Sequence, residues 1–193
     1  ANALGYLLGA LVTPRLMRMY GPSRLLVAGS ALATLFMALS GFFTSATPLL
    51  IQRLLAGVAS AFLFIAGGLL AARFGASMPS RSGFLLGVYY GGTGLGIVLS
   101  ALLVPAVLET ASAHAHAWAW AWWALALACL VGTAVLCWPA RVLARQDVAA
   151  SANAPAADAH RLFTWRAFAP ALAGYGMFGV GYIGYMRSEE RRV

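Results

Sequence analysis

Charge is what this sequence lacks. Charged residues fill 9% of its 193 positions, with 5 acidic side chains against 13 basic ones. A soluble domain holds about 25% charged and about 45–50% apolar residues, whereas 62% of this chain is hydrophobic and its mean hydropathy is +0.81. Those values exclude a soluble globular domain and make the bilayer the organising solvent. Lysine is absent, so the net charge of +8 comes entirely from arginine. The arginines stand singly between apolar runs. That is a signal of topology rather than of a basic face for nucleic acid, and no nucleic-acid partner is expected. Cysteine is equally sparse: Cys129 and Cys137 share one apolar span. A thiol there acts as a small packing residue. No disulfide framework or zinc spacing exists, so neither a metal nor another cofactor is expected. The chain opens at Ala1 already within an apolar run, so it is expected to be an internal piece of a longer protein, and no stretch of it reads as a signal peptide.

What is there is a series of apolar runs separated by turn residues. They predict an all-α, polytopic transmembrane bundle of about six spans. The runs are Ala1 to about Tyr20, Leu25 to about Thr47, Pro48 to Arg73, Phe84 to Leu108, Ala124 to Trp138 and Ala167 to Met186. Gly21-Pro22 breaks the first helix from the second, where Ser23 offers a cap. Pro48 suits the first turn of the third span. Gly5 and Gly9 form a small-xxx-small pair that lets a neighbouring helix approach closely. The fourth span carries Gly87, Gly91, Gly92, Gly94 and Gly96. In water such a segment would be a poor helix; in lipid every backbone group must be paired internally, and helix remains the expected state. These glycines read as sites of close helix packing or as a hinge. They do not form a phosphate loop, since no strand precedes them and no lysine follows. Residues 111–123 alternate alanine with histidine and tryptophan. Alternation argues for a strand, but the run flows into an apolar segment. Trp118, Trp120, Trp122 and Trp123 instead suit an interfacial aromatic belt.

The third span holds the one ionic side chain inside an apolar run, Arg53. Its guanidinium cannot lose its proton, and hydrocarbon penalises it by at least about 2.5–3.5 kcal/mol. It must therefore face a protein or water interior. Two roles stay open. Arg53 either faces a central pathway, binding an anion or biasing a proton site, or it bonds carbonyls of a neighbouring helix. Gln52 points about 100° away from it on a helix and reads as packing. Tyr89 and Tyr90 either hydrogen-bond a substrate or pack internally. Glu109 closes the fourth span near an interface, as a solvated helix end or a proton carrier. His114 and His116, at i and i+2, share no helix face and have no third ligand near in sequence. Orientation follows from the arginines: the first, third and fifth loops hold nine and the second and fourth hold none, which places the odd loops in the cytoplasm. Arg53 then lies in the outer half of its helix.

These residues resemble a major facilitator superfamily transporter. Arg53-Leu-Leu-Ala-Gly57-Val-Ala-Ser-Ala61 looks like the family's fourth-helix motif, an Arg followed four residues later by Gly and small residues. Arg15-Leu-Met-Arg18-Met-Tyr-Gly21-Pro-Ser-Arg24 sits where the loop motif between helices two and three belongs, with Arg18 standing where the family has an acidic residue. Gly5 to Ala10, Gly91 to Ser100 and Tyr175 to Ile183 are similar to stretches of the YbfB/YjiJ-like group. The resemblance implies a partial major facilitator fold covering helices two to seven of a usual twelve. On it, residues 1–140 form the N-terminal bundle, 141–166 a cytoplasmic central loop, 167–186 the start of the C-terminal bundle, and 187–193 an aberrant charged tail. It further implies a secondary transporter of a small-molecule substrate, proton-coupled, in the bacterial inner membrane, monomeric when full length, not an enzyme, and inactive as this truncated chain alone. Candidate pathway residues are Arg53, Tyr89, Tyr90 and Glu109. Candidate packing and hinge positions are Gly5, Gly9, Gly57, Gly87, Gly91, Gly92, Gly94 and Gly96, and Arg18, Gly21 and Arg24 are the loop motif. The alternative is a non-transporting membrane remnant or helix-packing partner.

Overall fold

The computed structural model describes residues 1–114 and 116–153, with side chains as far as position 142, and single helical positions at 169, 170, 173 and 177. The chain divides into two units, Ala1–Ala152 and Asn153–Val193. Five helices make up the first: α1 (Asn2–Tyr20), α2 (Pro22–Leu39), α3 (Ala46–Ser77), α4 (Ser82–Thr110) and α5 (Ala117–Asn153), the last ending at the boundary between the units. No strand occurs among the described residues, and the alternating Trp run becomes helical from Ala117 onward. The expected all-α class holds. Four helices are long and apolar enough to cross a membrane; α1 is the other, and it carries Arg15 and Arg18 near its end. Outside the described residues, apart from the single positions above, lie most of the expected central loop, the span at 167–186 and the tail at 187–193.

The bundle is built on α3, which packs against α1, α2 and α4. Small residues set the α1–α3 approach. A Cβ added to Gly5 would stand 2.8 Å from the carbonyl carbon of Leu54, and one added to Gly57 would stand 2.8 Å from the Tyr6 amide nitrogen. Gly9 is equally close to Val58. The two backbones touch, so only glycine fits; in lipid this dispersion contact replaces the hydrophobic drive that water would supply. Gly21 makes the turn into α2. Its φ of 84° is left-handed, and its amide donates to the Met17 carbonyl at 2.9 Å. The helix resumes directly at Pro22, so Ser23 is buried within the first turn and does not cap it, contrary to expectation. Pro48 lies in the first turn of α3, as expected, with the helix opening two residues earlier at Ala46.

Leu25 and Leu26 of α2 meet Ala66 and Leu70 of α3, with Leu136 of α5 against them. Hydroxyls join α2 to α5: Ser30 Oγ and Thr133 Oγ1 are 2.6 Å apart, and Thr34 Oγ1 is 3.1 Å from Thr133. Helix α4 differs. None of its residues is buried, and no described residue stands within 4 Å of a Cβ placed on Gly87, Gly91, Gly92, Gly94 or Gly96. Helix α5 runs through Pro139 to Asn153, past the end expected at Trp138. The first part of the segment read as a central loop is therefore helical.

Candidate functional site

The sequence reading carried the second span to Thr47. In the structure α2 stops at Leu39, and Ser40 follows as its C-cap. The turn after that early stop meets the last carbonyls of α2: the Ser40 amide donates to the Phe36 and Met37 carbonyls, each at 3.2 Å, the Gly41 amide to Ala38 at 3.2 Å and the Phe42 amide to Leu39 at 3.1 Å. The start of α3 adds side-chain donors. Gln52 Nε2 donates to the Phe36 carbonyl and, at 2.8 Å, to Ser40 Oγ. Ser40 Oγ itself donates to the Phe36 carbonyl at 2.9 Å. Arg53 Nη2 then donates to Ser40 Oγ at 2.9 Å. The hydroxyl gives one hydrogen bond and accepts two, its full capacity.

Helix α5 adds the third wall. The guanidinium carbon of Arg53 lies 4.2 Å from the centroid of the Trp122 ring. Trp118, four residues earlier and so on the same helical face, lines the same space. A cavity of about 590 Å³ opens here, bounded by Ser40, Phe43, Thr44, Leu49, Arg53 and the two tryptophans. The belt continues beside it. Phe42 and Trp123 have centroids 5.2 Å apart, Trp120 and Trp123 5.5 Å, and His114 and Trp120 5.7 Å. Gly41 makes room for this packing: a Cβ there would stand 2.9 Å from Trp123 Cε2.

The geometry explains how a fixed charge survives in an apolar helix. The C-terminus of α2 presents roughly half a negative elementary charge. Trp122 offers the negative face of its ring, an attraction that grows when water is excluded. Ser40 supplies a polar contact. A carboxylate is not needed for this, and the first acidic residue in the sequence is Glu109. Glu109 is exposed on the last turn of α4 and does not line the cavity.

The other sequence candidates gather elsewhere. Tyr89 donates from its hydroxyl to the Phe64 carbonyl at 2.7 Å and packs over Gly67. Tyr90 stacks edge-on with Tyr89 at 5.1 Å and against Phe64 at 5.9 Å, and is 53% exposed. This cluster joins α3 to α4 about 16 Å along the α3 axis from Arg53. Arg18 and Arg24 are exposed on either side of Gly21. Among the described residues no group of three or more potential metal ligands occurs, and His114 and His116 face separate tryptophans. Sequence reasoning missed Ser40, the polar role of Gln52 and the stacking by Trp122. Ser40-Gly41 is a turn dipeptide and would have marked the end of α2; nothing local to residues 52 or 122 reveals the other two.

Apolar helices around a half-buried cation define a multi-pass membrane protein. The family model described as "Uncharacterised MFS-type transporter YbfB" matches residues 1–187, and the chain belongs to this family of major facilitator transporters. Ser188–Val193 fall outside the matched residues. No curated protein and no solved structure matches the chain.

Proposed function

We propose that the chain forms part of a secondary active transporter that moves a small solute by alternating access, coupled to protons, across the bacterial inner membrane. The observation that carries this reading is Arg53: a permanent cation in a membrane-crossing helix, on the wall of an open cavity, with no carboxylate among the described residues that line it. An intramembrane charge of this kind marks a pathway. The arginine-rich turns at 15–24 and 73–81 give the orientation, with α3 entering from the outer side. The cavity then opens near the outer face.

Proteins of this superfamily place their substrate site between two bundles. Helix α4 presents a face with five glycines against which no described residue packs, which suits packing or rocking against such a partner. The chain alone therefore supplies one wall and does not transport; the complete carrier acts as a monomer. Glu109 and the tyrosine pair belong to this proposal as pathway residues, with the five α4 glycines as its hinge. The test is solute-driven proton movement, read by a pH dye trapped in proteoliposomes. This chain reconstituted with a C-terminal bundle of the same family is expected to give saturable flux, and neither part alone does. Saturable flux from this chain by itself contradicts the division of labour. No flux from the pair, with both bundles shown to be inserted, contradicts the transport reading.

A further inference from the structure

We propose that the cavity at Arg53 binds an amphiphilic monoanion, an oxyanion head (carboxylate or phosphate) on an apolar body. The inference rests on the transport reading only in taking that ligand to be the cargo.

The first ground is charge. Arg53 carries one full positive charge, while the end of α2 offsets about half of one. The residual field is positive and points into a space with no acidic side chain among the described residues that line it. It repels organic cations and attracts one anionic group; a single guanidinium does not match a polyanion.

The second ground is geometry. Trp122 covers one face of the guanidinium, with the ring centroid 4.2 Å from its carbon, and so occupies none of the in-plane N–H directions. Of the five N–H donors, one is directed at Ser40. The remaining edge is the planar fork that pairs with two oxygens of a carboxylate or phosphate. Ser40 cannot turn to meet the ligand instead, because its hydroxyl is already saturated by Gln52, Arg53 and the Phe36 carbonyl. It holds the guanidinium in place.

The third ground is the lining. Phe43, Leu49 and Trp118 are apolar walls beside the charged edge, and Thr44 is the one further hydroxyl. A cavity of about 590 Å³ accommodates a drug-sized molecule. A small hydrated anion would leave those walls wet; an apolar body fills them.

Two sources supply such a ligand, a solute and an anionic lipid. The test uses the full chain in nanodiscs of phosphatidylcholine, titrated with benzoate and followed by tryptophan fluorescence, since Trp118 and Trp122 line the site. Saturable quenching is expected. Arg53→Gln should weaken it at least about tenfold, the effect of losing one charge-assisted contact. Arg53→Lys keeps the charge and loses the fork, so it should fall between the two, and it serves if the glutamine variant does not fold. Arg15→Gln removes the same charge from an exposed site and should change nothing. In a second arm phosphatidylglycerol replaces half of the lipid. If benzoate quenching then disappears in the wild type and persists as a weak signal in Arg53→Gln, the head group is the occupant and the oxyanion chemistry stands. Quenching of equal affinity in wild type, Arg53→Lys and Arg53→Gln overturns the proposal, as does no quenching in either lipid. Arg53-dependent binding without flux in the liposome assay sinks the transport reading and leaves this site standing.

Discussion

Trp122→Leu uncovers one face of Arg53 without altering its charge, and its cost should depend on that charge. Insertion of an arginine into hydrocarbon costs about 2.5–3.5 kcal/mol. Three contacts offset this. Desolvated cation–π stacking contributes about 2 kcal/mol, the α2 C-terminus up to ~2 kcal/mol, and the bond to Ser40 roughly 1.5–3 kcal/mol as a hydrogen bond to a charged group. Together the three exceed the penalty. Removing the indole narrows that margin, and Trp122→Leu loses stacking and packing together. In an Arg53→Leu background the same change loses packing alone. A double-mutant cycle on reversible unfolding in bicelles should give a coupling of about 1–2 kcal/mol, or ~5–30-fold in the equilibrium constant. Arg53→Leu alone should be close to neutral, because the desolvation penalty leaves with the charge. Coupling within about 0.3 kcal/mol, or a loss above ~3 kcal/mol for Arg53→Leu alone, refutes this account of how the charge is held.

Other consequences are simpler to read. Gly57→Leu drives a side chain into the α1 backbone at Tyr6; overpacking of this kind costs about 1–3 kcal/mol, and an engineered disulfide between α1 and α3 should no longer form. Gly92→Ala meets nothing within 4 Å and should be neutral or gain up to ~1 kcal/mol from helix propensity. Thr133→Val breaks the hydroxyl cluster with Ser30 and Thr34 and should cost about 0.6–1.7 kcal/mol in the same bicelle assay.

Much of the fold was legible because hydrophobic runs longer than a bilayer crossing have few alternatives. Arg53 stood out for the same reason, as a lone charge where lipid tolerates none. The α1–α3 approach could be anticipated from Gly5 and Gly9, since small residues four apart leave one face of a helix flat. The end of α2 was not: no charge or proline interrupts residues 25–47, and the apolar count ran on past Leu39. That error hid Ser40 at a helix terminus and made Gln52 look like packing, although its amide donates to the Phe36 carbonyl and to Ser40. Trp122 was placed in an interfacial belt by composition, but its position over Arg53 depends on how α5 packs, a long-range fact. The α4 glycines show the opposite limit. They suggested close packing, and no described residue lies against them. The apolar run was read as ending at Trp138, yet α5 passes through Pro139, because one lost amide bond in a helix this long does not outweigh its neighbours.

The central claim is that Arg53 sits beside water within the protein and not against lipid tails. Its most direct test leaves the arginine in place. In a chain lacking Cys129 and Cys137, single cysteines replace Leu49 on the cavity wall and Ser80 in the turn before α4. Each is challenged from one side of a sealed vesicle with a membrane-impermeant thiol reagent. The account predicts that Leu49→Cys reacts from one side only, that Ser80→Cys reacts from the other, and that a lipid-phase quencher reaches a probe at neither. Reaction of both from the same side, or a probe at position 49 that only the lipid-phase quencher reaches, contradicts it.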